Sequence, residues 1–119
     1  LRVVVVERRT TRRFADLEAM KTAARCERCA VESVALEDLT YAKQIALLSD
    51  TDILVAAEGQ ALANVFYLAD HAAVVLLVPP GFDAAVVDYA ALVTMLGLHL
   101  ETNLGNLTGR RFGFLSNLD

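Results

Sequence analysis

The stretch Asp50-Thr-Asp-Ile-Leu-Val-Ala-Ala-Glu-Gly-Gln-Ala-Leu-Ala-Asn64 constrains the fold most. Ile53 to Ala57 is an apolar run without polar alternation, the pattern of a strand covered on both faces. Gly59 permits a tight turn, and Ala61, Leu62, Val65 and Phe66 follow at helical spacing. A buried strand, a glycine turn and a helix start form the ligand-facing corner of an open α/β sheet, where helix amides can meet an anion.

Other segments repeat the strand pattern. Val3 to Val6 is an unbroken β-branched run, and Ala73 to Val78 is an unbroken apolar one, stopped by Pro79-Pro80, which cannot donate to a ladder. Val31, Val34 and Leu36 partly alternate with Glu32 and Ser33, as suits a strand nearer the sheet edge, and Leu98 to Glu101 makes a short last strand. Asp16 is a candidate N-cap for a helix that presents Leu17, Met20, Ala23 and Ala24 on one side and ends near Arg28. Thr40 caps a second helix through Leu48, and Asp83 opens one that runs to Leu96, with Gly97 as its C-cap.

Five strands with intervening helices predict right-handed crossovers and one doubly wound, Rossmann-like parallel sheet. The order is 2-1-3-4-5, with helices on both faces and Val3–Val6 beside Ile53–Ala56. The chain then reverses across the sheet between the first and third strands. There the arginine-rich loop (Arg8, Arg9, Arg12, Arg13) faces the Glu58-Gly59-Gln60 turn. An arginine cluster opposite a helix start can hold a diphosphate; the competing reading is a solvated loop.

A chain of 119 residues with 55% hydrophobic content supports one core. We assign residues 1–101 to the α/β domain and 102–119 to a tail that packs on the domain or on a partner. That tail carries Leu104, Leu107, Phe112, Phe114 and Leu115 without a helical or strand period. Net charge −4 and a pI near 5.1 argue against nucleic acid or an anionic membrane as the main partner. No apolar run reaches membrane-spanning length. The first residue is not Met, as in a fragment or a processed product.

Cys26 and Cys29 lie near a predicted helix end rather than the helix start that stabilises a redox thiolate, and no second pair completes a zinc site. They read as two inert thiols. His71 and His99 have no partner at metal or general-base spacing. Asn106-Leu107-Thr108 fits a glycosylation triplet, a pattern common by chance.

Two blocks, Val5-Val-Glu-Arg-Arg-Thr-Thr-Arg-Arg-Phe-Ala-Asp16 and the run from Leu39 through the turn to Leu68, resemble glycosyltransferase family 61. The resemblance continues through Val74 to Pro79 and the helix ending at Gly97. It implies the donor-binding half of a two-domain GT-B enzyme, with a nucleotide-sugar donor such as a UDP-sugar. An active member is expected in the secretory-pathway lumen. Arg8 and Arg12 match arginines near the donor phosphates, which makes Arg8, Arg12, Asp16, Glu58, Gly59 and Gln60 the candidate binding residues.

Three positions depart from the pattern. The family has Asn where this chain has Asp16, His-Gly-Ala where it has Glu58-Gly59-Gln60, and usually Glu near the end of the fourth strand, where it has Leu76-Leu77. Glu58 removes a hydrogen-bond donor and sets a negative charge near the phosphates, and losing the fourth-strand carboxylate removes the acceptor for a ribose hydroxyl. These departures lead to the expectation of a non-catalytic, glycosyltransferase-like module with no cofactor and no catalytic residue, serving as a structural or interaction component among other protein chains. The alternatives are the nucleotide-sugar-binding half of an active transferase and a free-standing nucleotide binder.

Overall fold

The computed structural model describes residues 1–8, 16–57, 60–78 and 86–102. The β-branched and apolar runs form strands β1 (Arg2–Val6), β2 (Ala30–Val34), β3 (Ile53–Ala57), β4 (Ala73–Leu77) and β5 (His99–Thr102). They make one five-stranded sheet in the order β2-β1-β3-β4-β5, parallel at every pairing. Val3, Val4 and Val5 lie opposite Ile53, Leu54 and Val55, the adjacency expected from the sequence.

Because side chains alternate along a strand, each run supplies both layers of the core. Val4, Val6, Leu54, Ala56, Val74 and Leu76 face one way and pack with Leu48 and Val93. Those partners come from helices α2 (Tyr41–Ser49) and α3 (Val86–Met95). Val3, Val5, Val55 and Leu77 face the other way and pack with Met20 of helix α1 (Leu17–Ala24).

The caps set the helix ends. Asp16 Oδ1 accepts the Ala19 amide at 2.9 Å and Thr40 Oγ1 accepts that of Lys43 at 3.2 Å. Gly97, at φ 75°, ends α3: its amide reaches Thr94 O at 3.0 Å and that of Leu98 reaches Val93 O at 3.2 Å. This double bond pattern needs a left-handed residue, so Gly97 serves as the predicted stop.

Three expectations change. Helix α1 ends at Ala24 rather than near Arg28, because the next residues form a tight turn in which the Cys29 amide donates to Cys26 O at 3.1 Å. That turn brings the two Cα atoms within 5.0 Å, and the cysteines are joined as a disulfide, which corrects the reading of two inert thiols. Finally, the helix after the central turn is a 3-10 helix over Gln60–Tyr67. Val65 within it and Leu68 just after it are buried and three apart, which matches that winding. Asn64, Val65, Phe66 and Tyr67 are weak α-helix formers, so packing rather than propensity sets the conformation.

Candidate functional site

The chain reverses direction across the sheet at β1, which lies between β2 and β3. Loops leave the carboxyl ends of these neighbouring strands on one edge of the sheet, the usual ligand position in a doubly wound fold. The Glu7 amide still donates to Val34 O at 2.8 Å, so β1 is held to β2 up to the residue before Arg8. Arg8 follows directly, half-buried, with its Nη1 withdrawn from solvent.

The neighbouring loop is also held in place. The Gln44 side-chain amide donates to Leu36 O at 2.8 Å and Leu39 O at 3.2 Å, tying the segment after β2 to the start of α2. On the other side, β3 ends at the buried Ala57 and the 3-10 helix opens at Gln60. Tyr67, the last residue of that helix, meets Tyr41 of α2 edge-on, with ring centroids 5.8 Å apart and hydroxyls hydrogen-bonded.

Of the six candidate binding residues, Arg8 sits at the switch point and Gln60 begins the 3-10 helix. Asp16 has its carboxylate engaged in capping α1. Arg12, Glu58 and Gly59 lie outside the described residues. At the end of β4, where the resemblance implies a carboxylate, Leu76 and Leu77 are both 0% exposed and point into opposite core layers. A ribose hydroxyl would find no acceptor on either side chain.

The most developed polar network lies at the opposite, amino edge. Asp52 Oδ2 accepts the Arg2 amide at 2.7 Å, and its Oδ1 lies 2.7 Å from His71 Nε2. Asp52 also receives Ala73 N–H on its carbonyl at 2.9 Å, so one residue ties together the starts of β1, β3 and β4. Arg2 reaches Glu32 at 2.7 Å and Asp50 at 2.6 Å. The Asp52 carboxyl is held below its ordinary 3.8, first by the Arg2 amide and then by His71. His99 likewise pairs with Glu101 at 2.9 Å. Sequence reasoning missed the His71 pairing because the partners are 19 positions apart and meet only through strand register. Among the described residues no group of three or more His, Cys, Asp or Glu could hold a metal ion.

A doubly wound parallel sheet with helices on both faces defines a Rossmann-like α/β domain. The family profile for glycosyltransferase 61 matches residues 1–75, from β1 into β4. The chain therefore belongs to glycosyltransferase family 61. No curated protein matches it. Among the described residues no helix is long and apolar enough to cross a membrane.

Proposed function

We propose that this chain is a non-catalytic glycosyltransferase-like domain, a structural or interaction component of a larger protein assembly. The observation that carries the reading is the end of β4: Leu76 and Leu77 are fully buried where the family resemblance implies a ribose-binding glutamate. Glu58 supports the same conclusion. In the position of the family's His it opposes the negative charge that a leaving nucleoside diphosphate develops, and a like charge a few ångströms away costs on the order of a kcal/mol or more. The fold signals remain intact while the groups for donor chemistry are replaced, as in a domain kept for its packing. Tyr41 and Phe66 are 61% and 59% exposed, on two helices that pack together, and offer apolar surface to a protein partner.

A second reading, the nucleotide-sugar-binding half of an active enzyme, is favoured by one observation, the half-buried Arg8 at the switch point. Incubating the purified chain with a panel of nucleotide sugars tests the first reading. We expect neither transfer nor hydrolysis, and detectable transfer by this chain overturns it. Calorimetry with UDP tests the second. If the loop holds the diphosphate, Arg8→Ala and Arg12→Ala each weaken binding by about 1.5–3 kcal/mol, the worth of a charge-assisted hydrogen bond. Equal affinity of wild type and both variants removes the site.

A further inference from the structure

The two cysteines of the chain are bonded to each other, Cys26 to Cys29, at a sequence separation of 3. They stand at the amino edge of the sheet, in the turn that leads from α1 into β2, the outer strand. Their surroundings differ. Cys26 is exposed, whereas Cys29 is half-buried and packs against the core layer that holds Val3, Val5 and Met20. A thiol arriving from solvent therefore meets the sulfur of Cys26 first.

The backbone holds this turn by bonds that do not pass through sulfur. The Arg25 amide donates to Thr22 O at 3.2 Å, that of Cys29 to Cys26 O at 3.1 Å, and that of Ala30 to Leu1 O at 2.8 Å. Beyond the turn, β2 pairs with β1 from Ala30 opposite Arg2 to Val34 opposite Val6. A link across so short a loop also removes less entropy from the unfolded chain than one that closes a long loop. The sheet thus has little need of the covalent bond, and opening it leaves the strand pairing in place.

The charges around the pair favour opening. Arg25 and Arg28, both exposed, flank the cysteines with Glu27 between them, and this net positive turn favours a thiolate, the form in which a sulfur leaves a broken disulfide. The helix terminus beside Cys26 is the carboxyl end of α1, which lacks the free amides that stabilise the thiolate of a disulfide-exchange catalyst. Such a bond suits reduction by an external thiol better than the oxidation of other proteins.

We infer that Cys26–Cys29 is a surface thiol–disulfide exchange site, opened by an external dithiol reductant that attacks Cys26. A thiolate of the dithiol forms a bond to Cys26 Sγ. The Cys26–Cys29 bond breaks with its electron pair going to Cys29 Sγ, which takes up a proton. The second thiolate of the reductant then attacks the reductant's own sulfur in the mixed disulfide and releases Cys26, which is protonated in turn. The chain gains two thiols and the dithiol becomes a disulfide. This exchange is independent of whether the domain binds a nucleotide.

The test treats the full, oxidised chain with dithiothreitol and counts thiols by alkylation and mass spectrometry. Both cysteines should be alkylated in the folded chain, at a rate within about tenfold of that in guanidinium chloride, since access alone separates the two conditions. The reduced chain should keep its far-UV circular dichroism, and glutathione disulfide should close the bond again. Reduction only in denaturant, or loss of the fold on reduction, marks a structural staple and overturns the inference. A second measurement compares Cys29→Ala, which leaves Cys26 as the sole thiol, with Cys26→Ala. The first should react with an aromatic disulfide reagent several-fold faster. Equal rates or a faster Cys29 overturn the assignment of Cys26 as the attacked sulfur, and the wild-type reduction rate decides the exchange site by itself if either variant fails to fold.

Discussion

The amino and carboxyl edges of the sheet use polar residues in opposite ways. At the amino edge Arg2, Glu32, Asp50, Asp52 and His71 bind one another and the backbone, and Asp52 alone ties together three strand starts. Their charge is directed inward, to the fold. At the carboxyl edge the strands end in loops: Arg8 leaves β1, the Gln44 amide braces the loop after β2, and β4 closes on two buried leucines. Changes at this edge can alter binding without touching strand pairing. This difference would let a family member keep its sheet under changes in the loops at the carboxyl edge.

The largest expected effect comes from placing a carboxylate at the end of β4. Leu77→Glu puts a carboxylate there but buries it at a position that is 0% exposed among Val5 and Met20. The desolvation penalty is several kcal/mol, a large share of a small domain's stability, so the variant should be largely unfolded at neutral pH by circular dichroism. A folded variant that gains affinity for UDP would mean that the carboxyl edge keeps its site geometry.

A smaller effect is expected at Asp16, the residue on which the cap of α1 and the candidate site overlap. Asp16→Ala should lower stability by about 1 kcal/mol in urea unfolding, through loss of the bond to the Ala19 amide. Asp16→Asn retains an acceptor and should retain most of that stability. A UDP affinity that changes with Asp16→Asn while stability does not would move Asp16 from cap to ligand contact.

The smallest effect tests the amino edge. Asp52 has a depressed carboxyl in the folded chain, so its contribution is present above the ordinary 3.8 and is lost as pH falls through the lower folded value. Wild type should therefore exceed Asp52→Asn in stability at neutral pH, and the gap should close as the solution is acidified below about 4. The pair with His71 is solvent-accessible, so salt should narrow the gap too. A gap independent of pH would show that the amino edge holds by packing instead.

Local signals in the sequence carried much of this architecture. Unbroken runs such as Val3–Val6 need cover on both faces, which dictates buried parallel strands. Thr40, Asp16 and Gly97 act within a single turn of backbone and were legible as caps for the same reason. The family blocks were legible as well, because their residues lie close together along the chain.

Tertiary structure decided what depends on distance through space. The Cys26–Cys29 bond follows from α1 ending at Ala24 and the tight turn after it, which no spacing of two cysteines reveals. The winding of Gln60–Tyr67 follows the fit of Val65 and Leu68 to the layer beneath them. The bond between Asp52 and His71 exists because β3 and β4 are in register, with Ile53 opposite Ala73. The sequence by itself determined which segments must be buried and where they stop, since burial and capping are local demands. Which side chains meet, and which of them fall in each layer of the core, was decided only by the order and register of the strands.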